Sequence, residues 1–417
     1  MRYRTLLAMG VCGFGVAGAA LMVAPVGAQP GRGATTEYWM TADTGSGMAG
    51  MAANTGSVMS AMLHGGRPNP NGYVHTLLLQ LGSPRRATGE PNAEHLVPQG
   101  LRTDASLPLV TPQVVPVEEG PVEPWKQGNM ERPKGRMLIY WGCGDHARPG
   151  QPFIIDFANL GAGRIPPEMM PLQVRTETAP SQSRFATYGV WPNGKSRAHV
   201  PPEGSLVGDH VVRGNYSPEI HFTLAPGQDF LAPVVLTSNS VGPVGSVPLA
   251  WNPISNARAW LATAMGGGGN GDFVIWSSSE TRMGMSAFDY LPDSEIQRLV
   301  GMRVLLPGTA DRCTVPAEVK NAMQQGMMTL TAFGGQTNMS YPPRPARAAA
   351  GWRPDWAMKL RTKSNYMGML GMSMEQMMGG RGGRDDEGNG GGQGDDSGKK
   401  KKKKGLFPGL GGLIPHP

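Results

Sequence analysis

The sequence predicts a mainly β protein with one or two β-sandwich-like domains, a few short helices and a disordered C-terminal tail. Glycine and proline account for 61 and 38 of the 417 residues, whereas charged residues make up only 17%. Because glycine costs backbone entropy in a helix and proline removes a hydrogen-bond donor, this composition disfavours long helices. Runs of β-branched and aromatic residues between turn-forming residues instead indicate short strands.

Residues 1–28 have the pattern of a secretory signal peptide. Arg2 and Arg4 precede an apolar run from Leu6 to Val23, and small residues close the segment at Ala28. A positive start, an apolar centre and a small-residue cleavage site are typical of export signals, although an uncleaved membrane anchor is the alternative. We therefore expect an exported bacterial envelope protein that is periplasmic, associated with the outer membrane, or extracellular.

The mature chain is predicted to contain three ordered regions. Residues 29–135 form a β- and loop-rich N-terminal region, residues 136–232 a β-rich domain, and residues 233–378 a further β region with short helices. Each prediction depends on apolar runs or alternations of strand length that end at glycine or proline. The strands predicted in the first two regions are Glu37–Met40, His75–Leu81, Met137–Trp141, Phe153–Phe157, Arg184–Val190 and Glu219–Leu224.

The best-defined module lies between Pro248 and Glu280. A strand with Trp251 is followed by a short Asn/Pro turn, a second strand over Trp260–Ala264, a glycine-rich turn and a third strand over Phe273–Trp276. This arrangement resembles part of a fibronectin type III-like β-sandwich, and the resemblance implies that residues 233–378 form a β-sandwich region of that kind with short helices. It implies a fold class without a function.

The remaining elements of the third region are two short helices and one long strand. The helices are predicted over Glu295–Val300 and Pro316–Gln325, and the strand over Trp356–Met369. After residue 378 the composition changes, and residues 379–417 form a glycine-rich, lysine-rich segment that cannot bury a core.

Two cysteines remain once the predicted signal peptide is removed. Cys143 and Cys313 are expected to form a disulfide, because an exported chain with one pair of cysteines folds in an oxidising compartment. The disulfide would tie the middle of the chain to its C-terminal third.

The net charge of +7 is concentrated outside the predicted domains. Arg2 and Arg4 belong to the signal peptide and six consecutive lysines belong to the tail, so the body between them is nearly neutral. A nucleic-acid-binding protein would concentrate lysine and arginine on its folded surface. We therefore expect no nucleic-acid partner.

The tail combines a lysine run with an apolar end. Six lysines attract an anionic membrane or lipopolysaccharide surface, and apolar side chains beside them can enter a membrane interface or a groove of an envelope protein. A solubilising, disordered terminus is the alternative. The residues expected to make these contacts are Lys399, Lys400, Lys401, Lys402, Lys403, Lys404, Leu406, Phe407, Leu410, Leu413 and Ile414.

A repeated tripeptide suggests a metal site. Asp145-His146 and Asp209-His210 each follow a glycine and each precede a predicted strand, as one turn-plus-strand unit used twice would do. Imidazole and carboxylate groups brought together by a pseudo-symmetric fold could bind zinc or manganese. The alternative is that each aspartate caps its turn and each histidine covers a strand end.

Methionines near the end of the body suggest a copper site. Met367, Met369, Met372 and Met374 have the M-x-M and M-x-x-M spacings in which thioethers could bind Cu(I) as soft ligands. The alternative is that these methionines fill the core, because the chain contains 27 methionines in all.

No motif identifies an enzyme. The chain has no nucleophile elbow, no H-E-x-x-H and no phosphate-binding loop. The sequence therefore favours a non-catalytic binding or structural module without a cofactor, which docks a partner or a membrane through its tail. A copper-handling protein and a β-sandwich hydrolase with a loop-built site remain open as alternatives.

Overall fold

The computed structural model describes residues 35–52, 72–113, 135–157, 172–193, 200–283 and 288–372. They belong to a unit that spans Met1–Met374, and a second unit, Glu375–Pro417, falls outside the described residues. The predicted signal peptide and tail therefore lie outside the described residues.

The described residues form seventeen strands and three α-helices. The strands are β1 (Thr36–Gly47), β2 (Tyr73–Ser83), β3 (Ala93–Leu96), β4 (Ser106–Pro108), β5 (Arg136–Trp141), β6 (Phe153–Asp156), β7 (Thr187–Trp191), β8 (Gly208–Gly214), β9 (Ile220–Leu224), β10 (Leu236–Asn239), β11 (Val247–Trp251), β12 (Ala257–Gly268), β13 (Phe273–Ser277), β14 (Leu306–Pro307), β15 (Arg312–Val315), β16 (Met323–Tyr341) and β17 (Trp356–Met369). The helices are α1 (Met48–Ala52), α2 (Asp293–Gly301) and α3 (Ala317–Ala322).

The strands form one large sheet and two small ones. The large sheet has ten strands in the order β6-β5-β13-β12-β16-β17-β1-β2-β7, with β14 pairing with β12. It is mixed, because β1 is parallel to β17 and β5 is parallel to β13. The small sheets, β4-β3-β8-β9 and β10-β11-β15, are antiparallel.

Both small sheets cover the same face of the large sheet, which we call the inner face. Along β17, Trp356, Met358 and Leu360 belong to the apolar core under the four-stranded sheet, whereas Tyr366 belongs to the core under the three-stranded sheet. These residues alternate with outward-facing ones, so they all lie on one face of the strand. The result is two sandwich-like cores that share one continuous sheet.

The disulfide joins the large sheet to the three-stranded sheet. Cys143 follows β5, Cys313 lies on β15, and their Cα atoms are 5.3 Å apart across the bond. Between the same two sheets, the rings of Trp251 and Trp260 pack with centroids 5.3 Å apart. The predicted pairing of the two cysteines is the one that the structure contains.

The opposite face of the large sheet, which we call the outer face, is covered in its centre by α2. Ile296 and Leu299 of this helix pack in one buried cluster with Leu261 of β12 and Phe333 of β16. None of the helices in the described part of the chain has the length and apolar character needed to cross a bilayer.

The predicted mainly β class is confirmed, with both mixed and antiparallel sheets. The strand predicted over Trp356–Met369 is β17 with the same ends, and both predicted helices occur with shifted ends. The predicted domain boundaries stay predictions, although the large sheet takes strands from all three regions.

The fibronectin type III-like resemblance also stays a prediction. Its first strand, β11, lies in the three-stranded sheet, whereas β12 and β13 form a hairpin in the large sheet. The parallel pairs of the large sheet differ from the antiparallel sheets of a fibronectin type III sandwich.

Candidate ligand pocket on the outer face

A cavity of about 450 Å³ opens on the outer face beside α2. Its floor consists of outer-face residues of β12 and β13, where strand alternation sends every second side chain to this side of the sheet. Leu261 and Met265 come from β12, and Phe273 and Ile275 come from β13. The cavity therefore has a largely apolar wall and a volume that suits a small organic molecule.

The polar part of the pocket lies on the β16–β17 side. Lys363 Nζ is 2.8 Å from Asp289 Oδ1, and these two residues are the only charged ones that line the cavity among the described residues. Thr331 Oγ1 donates a hydrogen bond of 2.9 Å to Asn365 Oδ1 beside them. The lining formed by the described residues thus carries one ion pair and no net charge.

A row of mainly charged side chains continues from the pocket along β1 and β17, and we call it the charged row. The parallel pairing of these strands places Asp43 opposite Lys363, Thr41 opposite Arg361, and Trp39 opposite Lys359. The members of this row are Trp39, Thr41, Asp43, Lys359, Arg361 and Lys363.

Ion pairs and ring contacts hold the charged row together. Lys363 Nζ lies 3.4 Å from Asp43 Oδ2, and the Arg361 guanidinium lies 4.1 Å from the ring centroid of Tyr290. Lys359 Nζ lies 4.7 Å from the ring centroid of Trp39. Three buried atoms of the row, Thr41 Oγ1, Asp43 Oδ1 and Arg361 Nε, have no hydrogen-bond partner in the described structure.

Burial and charge act against each other in this row. Burial raises the pKa of Asp43 above its usual value, even though Lys363 and Arg361 oppose the change. Burial also disfavours the ionised form of Asp289, but the charges of Lys363 and Arg361 are sufficient to lower its pKa. Lys363 is therefore paired with a carboxylate that ionises readily and with one that ionises reluctantly.

A second cleft, of about 650 Å³, lies at the other end of the charged row. Glu177 pairs with Lys359 there and accepts a 2.5 Å hydrogen bond from Gln336 Nε2. Burial raises the pKa of Glu37, with Arg184 and Lys359 opposing. The backbone N–H of Glu177 donates to the carbonyl of Tyr290, so this segment crosses the outer face over the charged row.

The structure does not bring the two Asp-His pairs together. Asp145 and His146 lie in the loop after β5, where Asp145 accepts a hydrogen bond from Ser246 and His146 contacts Glu318. Asp209 and His210 lie at the start of β8, in the four-stranded sheet. The two tripeptides are not one repeated turn-plus-strand unit, because the first lies in a loop and the second lies in a strand.

The side chains of the second pair also diverge from each other. Asp209 is exposed and accepts a hydrogen bond from Thr223, whereas His210 points into the core and contacts His95. Adjacent residues of a strand face opposite ways, which explains the divergence. Among the described residues, no group of three or more histidine, cysteine, aspartate or glutamate side chains has the geometry of a metal site.

The predicted methionine and tail sites are only partly described. Met367 and Met369 lie on β17, and Met372 is exposed just beyond it. Met374 and the tail residues Lys399–Ile414 lie outside the described residues.

The pocket and the charged row were missed by the sequence analysis. One signal was present, because Lys359, Arg361 and Lys363 alternate with the apolar residues of β17 and must share one face of it. Their partners on β1 lie about 320 positions earlier in the chain, so only the fold shows them. No known protein family, curated protein or solved structure matches this chain, and its site must be interpreted from its own residues.

Proposed function

We propose that this protein is a non-catalytic binding module whose ligand is an uncharged, largely apolar small molecule with a hydroxyl or amide group. The observation that carries the proposal is the 450 Å³ outer-face pocket, whose charged lining residues, Asp289 and Lys363, neutralise each other. A charged ligand would lose its hydration without gaining a free counter-charge there. An uncharged ligand avoids that cost.

The lining also suggests how the ligand is oriented. The floor formed by Leu261, Phe273 and Ile275 offers apolar contact. Thr331 and Asn365, on the opposite side, offer hydroxyl and amide groups for hydrogen bonds. A ligand with one polar end would therefore place that end towards β17 and its apolar body over β12 and β13.

Two fluorescent probes that share one skeleton test the charge argument. N-phenyl-1-naphthylamine is uncharged with a single N–H, and 8-anilino-1-naphthalenesulfonate adds an anionic group to the same rings. We expect the uncharged probe to bind at least about tenfold more tightly, which corresponds to roughly 1.4 kcal/mol. Equal affinities, or tighter binding of the sulfonate, would contradict the proposal.

A pocket-filling substitution locates the bound probe. Thr263 faces the cavity from β12, so Thr263→Phe should fill it and weaken binding of N-phenyl-1-naphthylamine by about tenfold or more. Val244→Phe adds the same ring at a position that is 56% exposed in a distant turn and should leave binding unchanged. Similar losses in both variants would place the probe elsewhere, and circular dichroism of each variant checks the fold.

We propose that this module acts outside the cytoplasm and docks through its C-terminal tail. The support is the export-signal pattern of residues 1–28 and the succession of six lysines and an apolar end. Cross-linked purification of the full-length chain and of a chain truncated before Lys399 tests this idea. A partner or membrane association that survives truncation would contradict it.

One observation favours a second candidate function, hydrolysis by an acid–base carboxylate pair. In the second cleft, burial raises the pKa of Glu37 while neighbouring Glu177 is ion-paired with Lys359. Carboxylates in unequal environments can divide the roles of acid and base. Hydrolysis of a p-nitrophenyl glycoside panel that disappears in Glu37→Gln would support this function, and no turnover above buffer would exclude it for those substrates.

A further inference from the structure

Three methionines from distant parts of the chain lie side by side on the outer face. Met265 of β12 is directly opposite Met327 of β16, and Met327 is directly opposite Met369 of β17. Their strand neighbours Ala264 and Met328 point into the inner core, so the three methionines face the other way. We call Met265, Met327 and Met369 the methionine row.

The spacing of the row lets the three sulfurs approach one another. Residues directly opposite in an antiparallel pair have Cβ atoms about 4.5–5.5 Å apart. The outer two members, Met265 and Met369, are separated by two strand spacings, or roughly 10 Å. Because methionine has three rotatable side-chain bonds, the outer thioethers can lean towards the central one.

The row is open to solvent. Met265 is 50% exposed and Met327 is 38% exposed. Gly267 occupies the next outer-face position of β12, and a Cβ atom there would have no neighbour within 4 Å. An ion could therefore reach the sulfurs without a rearrangement of the sheet.

A fourth thioether lies beside the row. Met367 precedes Met369 by two residues on β17, and residues two apart on a strand share a face. The M-x-M spacing of the sequence therefore places both sulfurs on the outer face. Of the predicted methionines that the structure describes, Met367 and Met369 lie in this set, and they are joined by Met265 and Met327, which the prediction did not include.

The surroundings of the row favour a soft ion. The outer-face neighbours along β12, β13 and β16 are Thr263, Gly267, Ile275, Gln325 and Thr329, which include no carboxylate, imidazole or thiolate. Thioethers are weak ligands for hard or borderline ions but bind Cu(I). We propose that the methionine row, with Met367 as a fourth ligand, is a binding site for Cu(I).

Titration of the full chain with Cu(I), in the absence of oxygen and against a chromophoric Cu(I) chelator, tests the site. We expect one ion per chain with a Kd below about 1 μM. Zn²⁺ should not compete, because it prefers nitrogen, oxygen and thiolate ligands. Binding weaker than micromolar, or displacement of Cu(I) by equimolar Zn²⁺, would overturn the proposal.

Leucine substitutions assign the ligands, because leucine and methionine exchange at small cost in stability. Met327→Leu and Met369→Leu should each weaken Cu(I) binding by about tenfold or more. Met302→Leu is the matched control, since Met302 is 42% exposed just after α2 and lies outside the row. An equal loss in the control, or wild-type affinity in a variant with all three row residues replaced, would refute the assignment.

The outcome for the metal site is separable from the outcome for the ligand pocket. Met265 lines the pocket, but Met327 and Met369 do not. Met327→Leu should therefore lose Cu(I) binding and still bind N-phenyl-1-naphthylamine. Loss of both activities in this variant would show that the row is structural and would contradict the proposed metal site.

Discussion

Substitution of Tyr38 tests a chain of hydrogen bonds inside the four-stranded core. Tyr38 Oη is 2.7 Å from His95 Nδ1, His95 Nε2 is 2.9 Å from His210 Nδ1, and His210 Nε2 is 2.7 Å from the carbonyl of Leu206. A carbonyl can only accept, so His210 Nε2 must carry the proton. With both rings neutral, His95 then donates to His210 and accepts from Tyr38.

Removing one hydroxyl leaves this chain without its first donor. Tyr38→Phe keeps the ring, but His95 Nδ1 then has no donor in a site where Tyr38 and His95 are both fully buried. An orphaned buried acceptor costs about 1–3 kcal/mol of unfolding free energy. Urea unfolding followed by circular dichroism at pH 7.5 measures the loss.

Tyr216→Phe is the matched control. Tyr216 is 1% exposed, and its hydroxyl has no hydrogen-bond partner in the described structure. Removing that hydroxyl should change the unfolding free energy by less than about 0.5 kcal/mol, or stabilise the fold. Equal losses from Tyr38→Phe and Tyr216→Phe would refute the argument that the chain of hydrogen bonds stabilises the core.

The same chain predicts a pH dependence. Burial lowers the pKa of His95 well below its usual value and also lowers the pKa of His210. Between these folded-state values and the unfolded value near 6.5, the unfolded state binds more protons, so stability falls as the pH drops below about 6.5. In Tyr38→Phe, His95 Nδ1 no longer accepts a hydrogen bond and is easier to protonate. The difference in unfolding free energy between the wild type and Tyr38→Phe should therefore be smaller at pH 5 than at pH 7.5. Wild-type stability that does not change between pH 7.5 and 5 would contradict this reasoning.

Three further predictions concern single features of the fold. Burial lowers the pKa of His75 from 6.5 to about 4, although the charge of Asp229 opposes the change. Because the unfolded chain then binds a proton at a higher pH than the folded chain, stability falls as the pH drops. In urea unfolding, the unfolding free energy of the wild type should fall by about 3 kcal/mol more between pH 7 and pH 4 than that of His75→Phe. Reduction of the disulfide, whose partners are 170 residues apart, should cost up to about 5 kcal/mol, measured by unfolding with and without reductant. Gly82→Ala should cost about 1–3 kcal/mol because a Cβ atom would overlap the ring of Phe185, whereas Gly267→Ala has open space and should melt like the wild type.

The sequence predicted individual strands well because the signal for a strand is local. The run from Trp356 to Met369 alternates between the two faces of β17, and its ends were predicted as the structure has them. The pairing of β1 with β17 was not predictable, because no local pattern specifies a partner about 320 residues away. The mixture of parallel and antiparallel pairs in the large sheet was not predictable for the same reason.

The candidate site was not predicted from the sequence, for a related reason. Gly144-Asp145-His146 and Gly208-Asp209-His210 look alike in the sequence, but they have different environments. The first lies in the loop after β5, whereas the second lies in β8 and pairs with β9. The role of a side chain depends on the face and the neighbours that the fold assigns to it. A repeat of three residues in the sequence specifies neither the face nor the neighbours of a side chain.

The methionine row was predicted in part from the sequence and in part could not be. The M-x-M spacing indicated that Met367 and Met369 share a face, which depends only on the period of a strand. Met265 and Met327 come from segments 62 residues apart and join them only through antiparallel pairing. The sequence could therefore suggest a kind of ligand but not the set of side chains that would bind it.

The arrangement of the three sheets explains why the pocket lies where it does. Both small sheets pack on the inner face, so in the part of the chain that the structure describes, α2 and a few loops cover the outer face. That face changes from apolar on β13 and β12, with Phe273 and Ile275, to charged on β17 and β1, with Lys363 and Asp43. The pocket lies at this boundary, where an amphipathic ligand can satisfy both sides at once. A wholly apolar ligand would leave the polar side of the pocket without partners, so a hydroxyl added to its β17-facing end should tighten binding.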